Sequence, residues 1–135
     1  MVFSRISIKH VGRYILEPIL NITGRMRDAI EFYCDAFGCT DITQGRARHS
    51  FLNDHGIHAS LLILGDVYHL CESQFDALNN NRIISRKLSS AKDVKEIFDK
   101  LKVDGVVLNE PSLASNTKIF AWVRDKYGNE WQIFN

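Results

Sequence analysis

Apolar and polar positions along this chain follow two periods, one of two residues and one near 3.6, and the two succeed each other in an order that occurs twice. The run ILEPILNI reads as a strand. Pro18 within it marks an edge position or a strand end, because proline has no N–H for a ladder. After the Thr23-Gly24 break, Met26, Ile30, Tyr33 and Phe37 recur at helical spacing and predict an amphipathic helix that Gly38 stops. A short strand from Cys39 to Gln44 follows, then a polar, irregular stretch from Gly45 to Gly56. IHASLLIL and VYHLCE, separated by Gly65-Asp66, predict a β-hairpin.

Ser73 to Arg82, with Asn79-Asn80-Asn81, is polar and reads as a connection. The pattern then repeats. RIISRKLS is strand-like, and Ser90-Ala91-Lys92-Asp93 carries the signature of a helix start. Val94, Ile97, Phe98 and Leu101 give that helix an apolar face, and Asp104-Gly105 ends it. VVLN is a short strand, Glu110-Pro111 a turn, KIFAWVRD a strand, and Lys126-Tyr127-Gly128-Asn129 a turn into EWQIFN. The two helices share an Asp-x-x-Glu-apolar pattern, Asp28, Glu31 and Phe32 against Asp93, Glu96 and Ile97. The expectation is an α+β fold of two βαβββ modules, residues 15–72 and 83–135 of a single domain 1–135, forming a curved mixed sheet around a pocket. Phe3, Ile6, Ile8 and Val11 alternate weakly ahead of the first module and fit either an added strand or an ordered arm.

Composition narrows the function classes. A chain of 135 residues has the size of one domain with a real core. Its 17 basic and 16 acidic residues nearly cancel, so no global field attracts nucleic acid or an anionic membrane. Cys34, Cys39 and Cys71 are odd in number and form no CxxC pair, which fits reduced thiols better than a disulfide framework. The first residues lack the apolar run of a signal peptide, and no segment is long and apolar enough to span a bilayer. A cytoplasmic protein is expected.

PILNITGRMRDAIEFYCDAFG, IHASLLILGD and WVRDKYGNEWQIFN resemble the vicinal-oxygen-chelate superfamily. That group includes glyoxalase I, bleomycin-resistance proteins, fosfomycin-resistance enzymes and extradiol dioxygenases. The resemblance is closer to its small bacterial PhnB-like branch and runs from Ile15 to Asn135. It implies up to four metal ligands, two from each half, usually His or Glu on inward-facing strand positions. Carried over, those positions fall on Pro18, on His69, near Arg86 and on Gln132. Proline offers no donor side chain, arginine stays protonated, and glutamine is a weak neutral ligand. A catalytic site usually needs about three protein ligands. The resemblance therefore implies the fold while the residues argue against its metal chemistry, and no metal or other cofactor is expected. Glu17, beside Pro18, should face away from the pocket by strand parity, and Glu130, which shares parity with Gln132, is a weak substitute.

Several residues remain as candidates. His69 is either a pocket group for hydrogen bonding or proton transfer, or a buried histidine satisfied by backbone. Arg86 is either a pocket cation suited to carboxylate or phosphate, or a surface residue. Gln132 shares parity with Phe134, while Trp131 and Ile133 take the opposite, packed face. Trp122 belongs to the pocket or to a dimer contact. His49, His55 and His58 with Asp54 read as solvated surface, although the resemblance of the HA segment to the PhnB-like branch implies a structural or pocket role for His58, and Cys71, on the face of His69, reads as a small buried hydrophobe rather than a nucleophile. Neither a phosphate-binding glycine loop nor a serine elbow occurs. The expectation is a metal-independent small-molecule binding protein, working as a homodimer. His69, Arg86, Gln132 and Trp122 would contact the ligand, Arg86 favouring an anion. No catalytic residue is assigned. The near-neutral charge does not suit the bulky cation bleomycin. The alternatives are a metal-dependent lyase, isomerase or dioxygenase with a non-standard site, and a metal-free catalyst with His69 as general base.

Overall fold

The structure, a computed structural model, describes residues 17–42, 57–72 and 83–135. The segment 1–13, the stretch 45–56 and the connection 73–82 lie outside the described residues. The first half contains β1 (Ile19–Ile22), α1 (Met26–Phe37), β2 (Thr40–Asp41), β3 (Ile57–Ile63) and β4 (Asp66–Glu72). The second contains β5 (Ile83–Lys87), α2 (Ala91–Leu101), β6 (Val106–Ser115), β7 (Lys118–Arg124) and β8 (Glu130–Phe134). Each half makes one four-stranded mixed sheet, ordered β1-β4-β3-β2 and β5-β8-β7-β6, with the outer pairs β1–β4 and β5–β8 parallel and the rest antiparallel. The two halves thus repeat one topology.

Local chemistry accounts for the boundaries. Pro18 lies just before β1, which is an edge strand. Gly38 takes the left-handed conformation (φ 69°) that closes α1. The β3–β4 turn is built on Leu64 and Gly65, both with positive φ (51° and 86°), one position earlier than the composition suggested. Ser90 caps α2 by accepting the Asp93 N–H at 3.1 Å. Pro111 does not end a strand as expected: β6 runs through it. As an edge strand β6 tolerates the missing N–H, and the ladder absorbs the irregularity through register shifts around Asn109.

One face of each sheet packs under the helices in a shared core. Leu20, Ile22, Leu61, Ile63, Tyr68 and Leu70 come from the first sheet, Ile84, Ala121, Val123, Trp131 and Ile133 from the second, and Tyr33, Val94, Phe98 and Leu101 from the helices. Trp131 lies 4.8 Å from the Phe37 ring and 5.9 Å from Tyr68. A polar latch crosses this core. The buried Asp125 carboxylate accepts from Tyr33 Oη (2.5 Å), Trp131 Nε1 (2.9 Å) and the backbone of Tyr127 and Asn129 (2.9 and 3.1 Å). Asn129 in turn bonds both backbone groups of Asn21 on the free edge of β1. No helix among the described residues is long and apolar enough to cross a membrane.

Candidate functional site

The faces turned away from the helices carry the polar chemistry. On the first sheet, Ser60 of β3 and His69 of β4 are cross-strand partners, so their side chains share one face. His69 is 3% exposed. Its Nδ1 lies 3.0 Å from Ser60 Oγ and its Nε2 2.7 Å from Glu17 Oε1. A carboxylate only accepts, so Nε2 carries a proton toward Glu17, and Nδ1 shares the second hydrogen bond with the Ser60 hydroxyl. Both ring nitrogens are then engaged by side chains, which differs from the expected alternative of a histidine satisfied by backbone.

Glu17 is therefore not turned away, as strand parity suggested. The strand begins only at Ile19, and Glu17 lies in a bend before it, where alternation no longer applies. The backbone at this point is held by Pro18 O accepting the His69 N–H at 2.9 Å. Asn21 and Cys71 are register partners, two residues beyond Ile19 and His69, and complete this face. Asn21 Oδ1 is buried without a hydrogen-bond partner, an acceptor that a donor would satisfy. Burial pushes the Cys71 thiol up to about 11, so it stays protonated at neutral pH, in keeping with a packing role.

The second sheet presents a more open face. Ser85 Oγ donates to Gln132 Oε1 at 3.1 Å, and Gln132 pairs across the ladder with Trp122. The Trp122 indole donates to Glu130 Oε1 at 3.2 Å, and Arg124 holds the other carboxylate oxygen at 2.9 Å. Phe120, Trp122, Gln132 and Phe134 are half-buried, and Ser85 is exposed. Glu130 does share the face of Gln132, but its carboxylate is committed to Trp122 and Arg124.

Arg86 does not join this group. Its register partner is Ile133, and it alternates with Ile84 and Leu88 on the helix-covered face. There it donates to Tyr68 Oη (2.6 Å), Ile63 O (3.4 Å) and Leu64 O (3.1 Å), and pairs with Asp66 at 3.0 Å. Four of its five N–H groups are spent on tying the β3–β4 turn to β5, which leaves no fork for an anion. The expected convergence of His69, Arg86 and Gln132 on one cavity does not occur: His69 and Gln132 lie on helix-free faces, Arg86 on the other side. The signal was present in the sequence, since Ile84, Arg86 and Leu88 share parity. A cleft of about 540 Å³ opens beside Arg86, lined by Phe37, Leu64, Leu88 and Ile97 with Lys87, Ser89 and Asp93 at its polar end.

The family metal can be tested against these donors. Glu17 and His69 supply two strong ligands converging on one point. The equivalent face of the second sheet adds the neutral oxygens of Ser85 and Gln132, bonded to each other, and a Glu130 carboxylate already held by Trp122 and Arg124. No group of three or more His, Cys, Asp or Glu side chains suited to a metal occurs among the described residues. The set does not fit a three-ligand catalytic site. His49, Asp54 and His55, and the side chain of His58, lie outside the described residues.

Residues 15–134 match the profile of the family described as 3-demethylubiquinone-9 3-methyltransferase, and the chain belongs to that family. A putative 3-demethylubiquinone-9 3-methyltransferase, PhnB protein, from Bacillus cereus shares the fold at 20% identity, covering 87% of this chain and 96% of that one, with a TM-score of 0.61. A glyoxalase/bleomycin resistance protein/dioxygenase family enzyme from Burkholderia phytofirmans is similar at 16% identity, 87% and 95% coverage and a TM-score of 0.59. The fosfomycin resistance protein FosX from Listeria monocytogenes is similar at 14% identity, 87% and 88% coverage and a TM-score of 0.60. At such identities the likeness concerns the fold, which is that of the glyoxalase/bleomycin-resistance group. A search of curated proteins gave no match.

Proposed function

We propose that this protein binds a small molecule without a metal, on the helix-free face of its first sheet beside His69. The observation that carries the reading is the donor set: His69, engaged at both nitrogens by Ser60 and Glu17, has no third strong ligand beside it among the described residues. The unpartnered Asn21 Oδ1 on the same face supports a ligand bearing an N–H or O–H donor. With Arg86 committed to the β3–β4 turn, the ground for an anionic ligand falls away. Trp122 and Gln132, half-buried on the open second face, supply apolar and polar walls, and the working unit is a cytoplasmic homodimer in which a second copy covers that face.

One observation favours a second reading. Glu17 and His69, two side chains able to hold a divalent ion, face each other with Oε1 and Nε2 2.7 Å apart. A metal-dependent lyase, isomerase or dioxygenase would then need further donors from a partner chain. Metal analysis of protein purified without chelator separates the two. The proposal expects sub-stoichiometric Zn, Ni, Mn and Fe, unchanged in His69→Ala. Stoichiometric metal that His69→Ala removes would establish the second reading instead.

A further inference from the structure

Three side chains on the helix-free face of the first sheet stand in line. Ser60 Oγ lies 3.0 Å from His69 Nδ1, and His69 Nε2 lies 2.7 Å from Glu17 Oε1. Such a run also suits plain packing, since each polar group in it gains a partner. It differs from packing in two respects. The line leads from the dry interior to water: Ser60 and His69 are buried, whereas the Glu17 side chain is 40% exposed. The next register pair on the same face, Leu62 and Val67, is apolar and more open, with Leu62 exposed and Val67 half-buried. A hydroxyl, a base and an orienting carboxylate beside an apolar shelf make the layout of an activated oxygen nucleophile.

We propose that Ser60 is the nucleophile of a metal-free acyl transfer, with His69 as its general base and Glu17 as the residue that positions the ring. On the reading that a small molecule binds beside His69, that molecule is an ester or thioester with a short apolar acyl group. With the ring neutral, Nε2 donates to Glu17 and Nδ1 accepts from the Ser60 hydroxyl. As Oγ bonds to the acyl carbon, its proton passes to Nδ1. The bond from that carbon to the alcohol or thiol breaks, and the departing group takes the proton from Nδ1. Water then gives a proton to Nδ1 and adds to the acyl carbon, and Ser60 leaves with that proton on Oγ. Ester and water become acid and alcohol, nothing is oxidised or reduced, and Glu17 stays a carboxylate throughout.

Strand register builds this assembly. Ser60 and His69 are directly opposed across antiparallel β3 and β4, so the hydroxyl meets the ring edge nearer the backbone, Nδ1. Glu17 comes from the bend before β1, where the His69 N–H donates to Pro18 O at 2.9 Å and ties that bend to β4. The ring is thus held from two sides in one orientation, which is what a general base requires. Along the face, Leu62 and Val67 lie on one side of the Ser60–His69 pair and Asn21 and Cys71 on the other. The acyl group rests on the open apolar side, and the buried Asn21 Oδ1 accepts from an N–H or O–H on the leaving alcohol.

The test incubates the full-length protein with p-nitrophenyl butanoate, followed by nitrophenol release, intact mass and peptide mapping. The expected result is a burst of nitrophenol, a butanoyl group on the peptide carrying Ser60, and its slow loss to water. Ser60→Ala should show neither burst nor adduct. Glu17→Gln should lower the acylation rate constant about a hundredfold at an unchanged half-saturating ester concentration, a split that a purely structural carboxylate would not give. The wild-type map stands whether or not the variants fold. Wild-type protein without an adduct on Ser60, or Ser60→Ala acylated at the same rate, would overturn the proposal. The unreactive p-nitroanilide of butanoic acid separates acyl transfer from binding. Shifts of the His69 ring signals by the anilide, with no acylation by the ester, would sink acyl transfer and leave the binding site intact. No such shifts, together with stoichiometric metal that His69→Ala removes, would overturn both.

Discussion

The helix-free faces of the two sheets occupy equivalent places in the duplicated topology, yet they are finished differently. On the first, Ser60, His69, Cys71 and Asn21 are all buried, and His69 is held at both nitrogens. On the second, Ser85, Trp122, Gln132 and Phe134 meet solvent, and the Ser85–Gln132 bond is an exposed one. Repetition of element order fixes where a functional face can be. It does not fix what that face does, because burial decides what each polar group is worth. A hydrogen bond among buried groups cannot be exchanged for water, so losing one partner costs the full desolvation of the other.

The largest expected effect concerns the latch that joins the two halves. Asp125→Ala strands the Tyr33 hydroxyl, the Trp131 indole and two backbone N–H groups, and should cost about 3 kcal/mol by chemical denaturation. An effect below about 1 kcal/mol would mean that the halves do not depend on this carboxylate. The latch has a pH signature as well. Burial raises the Asp125 carboxyl above its ordinary value even though four donors pull it down. A folded-state group with a raised value binds a proton the unfolded chain has already released. Wild-type stability relative to Asp125→Asn should therefore fall as pH rises through the window opening just above about 3.9.

The comparison itself is broken most directly by a pair of truncations. His69→Ala removes a buried ring that bonds Ser60 and Glu17 and should destabilise by about 2 kcal/mol through the lost packing and hydrogen bonds. Gln132→Ala, on the open face, should stay within about 0.5 kcal/mol. Equal costs, measured by denaturant titration of both variants, would erase the distinction drawn between the faces.

Arg86→Lys should cost about 1–2 kcal/mol, because an ammonium cannot replace a planar fork held by Tyr68, Asp66 and two carbonyls. It should leave small-molecule affinity unchanged, since Arg86 faces away from both helix-free surfaces. A loss of affinity without a loss of stability would return Arg86 to the ligand site. The smallest effect has the opposite sign: Asn21→Leu removes an unsatisfied buried acceptor without touching the backbone bonds to Asn129, and should raise stability by about 0.5–1 kcal/mol. Destabilisation of that size would show that the Asn21 amide is structural.

Much of the fold was legible because it rests on short-range signals. Helical spacing marked α1 and α2, Gly38 and Ser90 marked their ends, and the order of elements repeated. Pro111 misled because an edge strand can absorb a proline by shifting register, and nothing in the residues announces which strand is the edge. The site was less legible for the same kind of reason. Parity arguments hold only inside a paired strand. Glu17 lies before β1 begins, so the rule that turned it away had no force there. Arg86 and Gln132 were grouped by likeness to a ligand pattern, whereas the pairing places Ser85 opposite Gln132 and Arg86 opposite Ile133. His69 was identified, but its partners come from a bend and from a neighbouring strand, and only the register of β3 on β4 brings Ser60 to it.

The central claim is that the imidazole of His69 is saturated by Ser60 and Glu17 and is not a metal ligand. Long-range ¹H–¹⁵N NMR of the histidine ring, recorded while Zn or Mn is titrated into metal-free protein, tests it most directly. The account predicts a ring that keeps its proton at Nε2 toward Glu17, with His69 signals that neither shift nor broaden at stoichiometric metal. Loss of the Nε2 proton or selective broadening of His69 at one equivalent, abolished by Glu17→Gln, would contradict it.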